Sequence, residues 1–297
     1  MQIAVTGTHG LIARHLIPRL EAAGHRVTAL VRSQPEPGQV HWDPDASELD
    51  ATELEGIDAV IHLAGVGLFR RWSSDHKRRI FDSRVKGTTL LADRLAGLDH
   101  KPAVLLSGSA VGYYGDRGDE ILTEDSEGGA GFLADLCARW EGAAEAATAA
   151  GIRTVLLRTG IVQAPDGGAL GTQLPIFKLG AGGRLGNGRQ WTSWISVDDE
   201  VGAIVHALGA ENLSGPINLT TPEPVTNRTY TKVLGQVLHR PAVLAVPALA
   251  IRTVLGAEMA NEMLLGGQRA LPVALERSGY RFAHRSLAGA LTAALER

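Results

Sequence analysis

The chain begins Met1-Gln-Ile-Ala-Val-Thr-Gly-Thr-His-Gly-Leu-Ile-Ala13, and this glycine-bearing stretch decides the fold. The apolar run at 3–5 predicts a short buried strand, and the pattern after Gly10 predicts a helix that continues to Gly24. Such a strand–turn–helix aims backbone N–H groups and a helix N-terminus at one point, which suits a pyrophosphate. Gly7 permits the tight turn, and Gly10 lets phosphates approach the backbone. The spacing G-x-x-G-x-x-A also fits an ordinary strand-to-helix turn. The surrounding sequence must therefore distinguish a dinucleotide-binding turn from an ordinary one.

Strand and helix patterns alternate over the first 160 residues, which predicts a parallel sheet with helices on both faces. Further strands are predicted at 26–31, 58–63, 103–107 and 153–158, and helices at 75–96 and 132–150. This alternation favours an α/β fold with a doubly wound parallel sheet. Sheets of this kind keep their functional sites at the carboxyl ends of the strands.

The pattern changes after Thr159, where recurring glycines up to residue 188 predict long loops above the carboxyl edge of the sheet. A short strand at 194–197 precedes a helix that opens at Asp198 and Asp199, which we interpret as N-terminal caps. From residue 242 the chain is predicted to be helical and apolar, with breaks at Pro247 and Pro272. We therefore expect a core over 1–160 to which 190–220 returns, substrate-side loops and helices over 161–241, and a smaller C-terminal cap over 242–297.

The composition is typical of a globular protein, with 297 residues, 44% of them hydrophobic, and a formal net charge of −3. That charge gives no electrostatic case for binding nucleic acid or a membrane. The single cysteine, Cys137, excludes an internal disulfide and lies in a helical pattern that favours burial. The 10 histidines show no metal-ligand spacing, and no apolar run has the length of a membrane span. We expect a cytoplasmic protein without signal peptide or metal that acts on a small molecule, its oligomeric state left open.

Residues beside the predicted strand ends suit a dinucleotide. Arg32 follows the second strand, where its planar donors match the 2′-phosphate of NADP; a solvated surface arginine is the alternative. Gly65 ends a strand where small residues let a ribose or nicotinamide lie close, although packing alone also explains it. Arg79 and Arg84 follow on the next helix, placed either to reach cofactor phosphates or a substrate carboxylate, or to form a solvated basic face.

The segment Ser107-Gly-Ser-Ala-Val-Gly-Tyr-Tyr-Gly115 is the most chemically suggestive part of the chain. It places Ser109, Tyr113 and Tyr114 at the end of a central strand. A tyrosine phenol serves as general acid or base when a nearby cation lowers its pKa, and a serine hydroxyl can bond a substrate carbonyl or hydroxyl. Packing, with hydroxyl tips in water, is the alternative for both tyrosines.

These motifs resemble the extended short-chain dehydrogenases/reductases, and more narrowly their NAD(P)-dependent epimerase/dehydratase-like subgroup with a C-terminal DUF1731 cap. The matching stretches cover essentially the whole chain and are 6–13, 63–65, 83–85, 109–115, 140–141, 157–162, 188–191, 194–199 and 267–268. The resemblance implies a Rossmann-type sheet and NADP(H) as cofactor. It supports cofactor contacts for Gly7, Thr8, Gly10, Leu11, Ile12, Arg32, Leu63, Ala64, Gly65, Arg79 and Arg84.

One departure from the family pattern bears on function. The resemblance implies Tyr-x-x-x-Lys, in which the lysine lowers the pKa of the tyrosine and holds the nicotinamide ribose. Alignment on Glu141 puts Leu133 and Cys137 at those positions, so the pair is missing, while the upstream serine remains as Ser109. Either one of the two adjacent tyrosines has taken over proton transfer, or the hydride chemistry has been lost.

Two functions from different classes follow. The favoured one is an NADP(H)-dependent oxidoreductase or epimerase-like enzyme that acts on a small hydroxyl or carbonyl substrate, with Ser109, Tyr113 and Tyr114 as catalytic candidates. The alternative is a non-catalytic NADP(H)-binding redox or metabolite sensor that acts through a protein partner, in agreement with the missing pair. Glycine-rich loops able to close over a ligand favour the enzyme, because a sensor needs no lid. A structural protein with a vestigial site predicts no dinucleotide binding.

Overall fold

Strands and helices follow one another as the alternating pattern predicts. The computed structural model describes residues 1–296. As far as residue 160 the elements are β1 (Gln2–Thr6), α1 (Leu11–Ala22), β2 (Arg26–Val31), β3 (Gln39–Asp43), β4 (Glu48–Leu49), β5 (Ala59–His62), α2 (Ser74–Ala96), β6 (Val104–Ala110), β7 (Ile121–Leu122), α3 (Phe132–Gly142), α4 (Glu145–Ala149) and β8 (Arg153–Thr159).

The rest of the chain has shorter elements. They are β9 (Ile161–Gln163), α5 (Gly168–Lys178), β10 (Gly183–Leu185), β11 (Trp191–Thr192), β12 (Trp194–Ser196), α6 (Val197–Gly209), β13 (Gly215–Leu219), β14 (Val225–Thr226), α7 (Asn227–Val237), β15 (Leu244–Val246), α8 (Ala248–Leu255), α9 (Ala257–Ala260), β16 (Arg269–Ala270), α10 (Val273–Arg277) and α11 (Leu287–Leu295).

Eight strands form one sheet in the order β13-β8-β6-β5-β1-β2-β3-β4. Neighbouring strands are parallel except for the β3–β4 pair at one edge. The order reverses at β1, because the chain first builds outward through β2 and β3 and then continues on the other side with β5. Such a switch leaves a crevice above the carboxyl ends of the two central strands. The predicted doubly wound, Rossmann-type α/β sheet is therefore confirmed.

Burial follows the alternation of side chains along the central strand. Ile3 and Val5 pack on the face covered by α1 and α6, whereas Ala4 packs on the face covered by α2 and α4. All three are fully buried. Full burial of a valine or isoleucine side chain contributes about 1.5–3 kcal/mol, so these two layers hold β1 and its carboxyl end in place.

A smaller lobe with its own core follows β8. Helices α5, α7 and α11 supply Leu174, Leu234 and Leu291 to a cluster around the fully buried Trp194. Short strand pairs β9–β12, β10–β15 and β11–β14 connect these helices. β13 does not belong to this lobe, because it pairs in parallel with β8 at the edge of the large sheet.

Several secondary-structure predictions need correction, beginning with the long loops predicted up to residue 188, where α5 in fact covers Gly168–Lys178. No strand was predicted at β3 or β4, where Trp42 and Leu49 are buried among polar neighbours. The helix predicted over 132–150 is divided into α3 and α4; α3 ends at Gly142, a residue of low helix propensity. The tail after residue 242 is not all helical, since Leu244–Val246 pairs with Gly183–Leu185 and tertiary pairing overrides the local pattern.

The cap of α6 also differs from the prediction. Ser196 is the capping residue, and its hydroxyl accepts the Asp199 N–H at 3.0 Å. Asp199 lies inside the first turn with its buried carboxylate bonded to the N–H groups of Ala283 at 2.7 Å and His284 at 3.0 Å. This carboxylate therefore ties the C-terminal segment to the main sheet.

Candidate functional site

The turn between β1 and α1 has the geometry that its glycines permit. Gly7 has a φ of 70°, in the left-handed region, and a Cβ at this residue would lie 2.8 Å from the Ala64 nitrogen. Gly10 stands at the N-cap of α1 and donates its N–H to the Gly7 oxygen at 2.8 Å. No side chain of the described residues caps this helix end. Its first N–H groups are therefore available to an anion.

A cavity of about 510 Å³ opens at this turn, over the switch point between β1 and β5. This volume is in the range of small-molecule sites. The residues assigned to the cofactor that line it are Gly7, Thr8, Gly10, Arg32, Leu63, Ala64, Gly65 and Arg79. Sequence reasoning missed Trp42, Pro44 and Ser83, which also line it. The alternation of buried Val40 and Trp42 was the signal for the first of these.

Leu11 and Ile12 do not line the cavity with their side chains. The side chain of Leu11 packs toward the glycines at the start of α5, where a Cβ on Gly167 would meet it at 3.0 Å. Leu11 and Ile12 could therefore contact a ligand in the cavity only through their backbone N–H groups in the first helical turn.

Arg84 lies beneath the cavity and does not line it. Its Nη1 donates to the carbonyl oxygens of Val66 at 3.0 Å and Ile80 at 3.3 Å, and its guanidinium lies 5.0 Å from the Trp140 ring. A Cβ on Gly65 would lie 3.0 Å from Arg84 Cζ, so any larger residue there would push the guanidinium out of its present position. Burial lowers the pKa of Arg84 to about 10, which leaves it charged at neutral pH. Arg84 thus places its charge behind the cavity wall, and its contact with cofactor phosphates stays a prediction.

A buried chain of hydrogen bonds under the same wall was not found from the sequence. Thr6 Oγ1 accepts the N–H groups of Leu63 at 3.1 Å and Ala64 at 3.2 Å, and lies 2.7 Å from His62 Nδ1. The hydroxyl therefore donates to Nδ1, which puts the imidazole proton on Nε2, 3.0 Å from Thr88 Oγ1. Burial lowers the pKa of His62 to about 4. A neutral histidine thus fixes Thr6, and Thr6 fixes the backbone that lines the cavity.

Ser109 belongs to a second buried network. Its Oγ donates to Glu141 Oε1 at 2.6 Å. Arg158 binds the same carboxylate in a bidentate ion pair, Nε to Oε1 and Nη2 to Oε2, both at 2.8 Å. Ser109 and Arg158 come together because β6 and β8 pair in register at these two residues. Since the Ser109 proton is committed to Glu141, its oxygen offers lone pairs to a ligand and no donor.

The two tyrosines have different environments. Tyr114 is fully buried; its hydroxyl donates to Asn218 Oδ1 at 2.8 Å and accepts from Arg158 Nη1 at 3.0 Å. Burial raises its pKa, although Arg158 opposes the shift. Tyr113 is half-buried, with the Arg158 guanidinium 3.6 Å from its ring centroid, and its hydroxyl has no hydrogen-bond partner within residues 1–296. The geometry therefore argues against direct catalysis by Tyr114 and leaves Tyr113 as the candidate.

The two positions aligned with the family pair lie on α3. Cys137 is buried as predicted, and burial raises the pKa of its thiol to about 12. The N–H of Leu133 donates to the Glu262 carboxylate at 2.8 Å, as does that of Phe132 at 2.9 Å, so a C-terminal side chain covers this helix end. Neither aligned position supplies an acid or base near neutral pH.

Within residues 1–296 there is neither a metal-binding cluster nor a helix that could cross a membrane. No group of three or more histidine, cysteine, aspartate or glutamate side chains is arranged to hold a metal ion. None of the described helices combines the length and the apolar character that a membrane crossing requires.

The chain matches known proteins over its whole length. The model of the NAD dependent epimerase/dehydratase family matches residues 3–219, and that of the domain of unknown function DUF1731 matches residues 246–294. Epimerase family protein Mb2239 of Mycobacterium bovis is 45% identical over 97% of this chain and 96% of its own. Human epimerase family protein SDR39U1 is 35% identical over 98% of both chains.

A solved structure extends this likeness to three dimensions. The crystal structure of human SDR39U1 (isoform 2) with NADPH matches at a TM-score of 0.89 and 31% identity, covering 100% of this chain and 99% of that one. This match over the whole fold confirms the resemblance inferred from the motifs. The chain therefore belongs to the NAD dependent epimerase/dehydratase family, in its extended short-chain dehydrogenase/reductase branch with a C-terminal DUF1731 domain.

Proposed function

We propose that the protein binds NADP(H) in the cavity at the β1–α1 turn and exchanges hydride with a small substrate that carries a hydroxyl or carbonyl group. The observation that carries the proposal is the lining of one cavity by both the glycine turn and Arg32. The turn offers N–H groups to a pyrophosphate, and the guanidinium offers planar donors to a 2′-phosphate. The NADPH in the related human structure supports the same cofactor.

Each cofactor residue has a part in this proposal. Gly7, Thr8 and Gly10, with the N–H groups of Leu11 and Ile12, contact the pyrophosphate, and Arg79 assists. Arg32 contacts the 2′-phosphate, and Leu63, Ala64 and Gly65 form the surface against which a ribose or nicotinamide lies, with Arg84 behind it. Residues 1–160 with 190–220 form the cofactor part, 161–241 the substrate side and 242–297 the cap.

Ser109 and Tyr113 are the residues that we assign to the substrate oxygen. The nicotinamide supplies or accepts the hydride when bound. Ser109, with its proton held by Glu141, accepts a hydrogen bond from a neighbouring hydroxyl of the substrate and so orients the reacting carbon. Tyr113 gives or takes the proton through its unpaired hydroxyl. Burial and the Glu141 carboxylate raise the pKa of Cys137 while Arg84 and Arg158 oppose the shift, so charges of both signs act on the position where family members carry lysine.

The cofactor half of the proposal is tested by binding. Replacement Arg32→Ala should weaken NADPH at least about tenfold while leaving NADH nearly unchanged, because only NADPH carries the 2′-phosphate that the guanidinium bonds. Arg26→Ala is the matched control, since Arg26 is an exposed arginine at the opposite end of the same strand. Equal loss of both cofactors in Arg32→Ala would remove the 2′-phosphate assignment.

The chemical half is tested with NADPH carrying deuterium at nicotinamide C4. The protein and this cofactor are incubated with a metabolite extract, and mass spectrometry searches for deuterium in small molecules. A labelled product, lost in Ser109→Ala and Tyr113→Phe, is the expected result. Full label transfer by both variants would contradict their roles.

The missing tyrosine–lysine pair favours one other function, an NADP(H)-binding sensor that acts through a protein partner. The same experiment separates the two functions. NADPH that binds tightly without labelling any small molecule would favour the sensor over the oxidoreductase.

A further inference from the structure

Exposed apolar side chains are concentrated on one part of the small lobe. Seven of the ten large hydrophobic residues exposed among residues 1–296 lie within 176–179 and 243–254. They are Ile176, Leu179, Val243, Leu244, Val246, Leu249 and Val254. Leu179 is 84% exposed, Val243 86% and Leu249 75%. We call these seven residues the apolar patch.

Tertiary contacts bring the two segments together. Arg240 Nε donates to the Lys178 carbonyl oxygen at 2.9 Å, and a Cβ on Gly180 would lie 3.4 Å from Pro241. β15 pairs with β10, and all three of its residues are exposed. Helix α8 begins directly after it, and Ile251 is its only buried residue. The apolar patch is therefore one region of the surface, formed by the end of α5, the edge strand β15 and the outer side of α8.

The two stretches of chain that contribute the apolar patch carry charge of a single sign. The sequence has no aspartate or glutamate at 167–197 or at 224–257. The lysines and arginines in these two stretches are Lys178, Arg184, Arg189, Arg228, Lys232, Arg240 and Arg252. The acidic residues that flank these stretches in sequence are Asp166, Asp198, Glu223 and Glu258, of which Asp166 pairs with Arg14, Asp198 with His284 and Glu258 with Lys77. The net charge of −3 for the whole chain conceals these two cationic stretches.

A shallow basin of about 470 Å³ adjoins the apolar patch. It is lined by Lys232, His239 and Arg240 and extends to Val243, the most exposed member of the apolar patch. Cationic donors and bare apolar side chains thus stand side by side. A phospholipid presents the complementary pair, an anionic headgroup next to acyl chains.

We propose that the apolar patch and its basin dock the protein on the surface of an anionic lipid bilayer. Leu179, Val243 and Leu249 enter the boundary between headgroups and acyl chains, with α8 lying along the surface. Lys232 and Arg240 bond lipid phosphates. The expectation that the protein has no membrane partner rested on the net charge of the whole chain, which averages over this asymmetry. The proposal concerns a surface contact and no membrane-spanning segment.

The single sign of the charge favours a bilayer over a second copy of the chain. A two-fold dimer through the apolar patch would bring Lys178, Arg240 and Arg252 of both copies toward each other, and the two stretches that carry these residues hold no carboxylate. An anionic bilayer compensates all of them, and each cation near such a surface contributes roughly a fivefold gain in binding.

The experiment is co-sedimentation of the full chain with two kinds of vesicle, one of phosphatidylcholine and one with equal parts of phosphatidylcholine and phosphatidylglycerol. The protein should sediment with the second kind only, and added salt should release it. Leu249→Glu should weaken sedimentation at least about tenfold, and Arg240→Gln about fivefold. Arg281→Gln, an exposed arginine outside both segments, is the charge-matched control and should bind like the wild type.

The residues to be changed are exposed, so thermal unfolding midpoints close to that of the wild type will show that the variants fold. The proposal is overturned if the wild type ignores phosphatidylglycerol vesicles, or if Leu249→Glu and Arg240→Gln sediment like the wild type. A dimer that Leu249→Glu dissociates, without vesicle binding, would assign the apolar patch to a second copy. Binding to polyglutamate but not to vesicles would assign it to an acidic protein.

Discussion

Two buried hydrogen-bond networks lie at the carboxyl end of the sheet, and they differ in charge and in the groups that they finally contact. The chain through Thr6, His62 and Thr88 is neutral, and its last contacts are two N–H groups in the wall of an open cavity. The network of Ser109, Glu141 and Arg158 is ionic, and it continues into Tyr114 and its partner Asn218. The neutral chain fixes the backbone that lines a ligand cavity, whereas most donors and acceptors of the ionic network are hydrogen-bonded within the network.

We call the cavity wall with the Thr6–His62–Thr88 chain the cofactor half, and the Ser109–Glu141–Arg158 network with the two tyrosines the reaction half. The difference explains why the ligand of the cofactor half follows more directly from the structure than the substrate of the reaction half. An open cavity lined by backbone N–H groups and an arginine defines its ligand by complementarity. In the reaction half, the lone pairs of Ser109 and the hydroxyl of Tyr113 are what remain for a substrate. The following tests examine the contrast in order of decreasing effect.

Removing one charge from the ionic network should have the largest effect. Arg158→Leu leaves the nearly buried Glu141 carboxylate without its partner, and loss of one member of a buried pair costs about 3–5 kcal/mol. Urea unfolding measures this loss in the free energy of unfolding. Arg139→Leu is the control, because its ion pair with Asp135 is exposed and should contribute at most about 1 kcal/mol. Similar losses of unfolding free energy in both variants would show that the buried network stabilises the fold no more than an exposed ion pair does.

A single methyl group in the cofactor half should come next. Gly7→Ala places a Cβ 2.8 Å from backbone atoms of Leu63 and Ala64, which cannot move aside like a flexible side chain. The cavity wall must shift, and NADPH affinity should fall about a hundredfold, equivalent to about 2.7 kcal/mol. Gly38→Ala has the same kind of positive φ but nothing within 4 Å, so it should leave NADPH affinity unchanged. Titration of intrinsic fluorescence with NADPH measures both; equal affinities would contradict the steric argument.

A third test uses the pH dependence of stability, because two fully buried titratable groups, His62 in the neutral chain and Glu200 beside Thr159, respond to pH in opposite directions. Glu200 bonds Thr159 at 2.9 Å, and burial raises its pKa from 4.5 to about 8. Its neutral form is favoured by folding, so its contribution is complete below pH 4.5 and is lost as pH rises toward 8. The pKa of His62 is lowered from 6.5 to about 4, so its contribution is complete above pH 6.5 and is lost as pH falls.

The two slopes oppose each other between pH 4.5 and 6.5, and only Glu200 acts above that window. The free energy of unfolding should therefore fall by about 2 kcal/mol from pH 6.5 to 8, at about 1.4 kcal/mol per pH unit. Glu200→Gln should remove this fall and uncover the His62 slope between pH 4.5 and 6.5. Urea unfolding at several pH values is the measurement. A wild-type slope that persists in Glu200→Gln would show that another group is responsible.

The sequence predicted what depends on local pattern. The strand–turn–helix at Gly7 and Gly10 and the alternation of elements led to the sheet, the cavity and Arg32 at its lining. The pairing of Ser109 with Glu141 and Arg158 depends on the register of β6 against β8, which no local pattern encodes. The contact of Thr6 with His62 joins residues 56 positions apart. Sequence reasoning therefore missed both polar systems.

Helical spacing held one signal that went unused. Arg84 follows the buried Ile80 by four residues and so lies on the same buried side of α2, whereas Arg79 precedes Ile80 by one residue and remains at the surface. That spacing alone could have predicted that Arg79 lines the cavity and that Arg84 lies behind its wall.

The smallest expected effect separates the two tyrosines. Tyr114→Phe removes a hydroxyl that bridges Arg158 and Asn218 in the interior, which should cost about 1–2 kcal/mol in urea unfolding. Tyr113→Phe removes a hydroxyl without an intramolecular bond and should change stability by less than about 0.5 kcal/mol. Transfer of deuterium from NADPH should show the reverse order, with loss in Tyr113→Phe and retention in Tyr114→Phe. If Tyr114→Phe instead loses transfer at unchanged stability, the buried network itself reaches the substrate, and the contrast between the two halves fails.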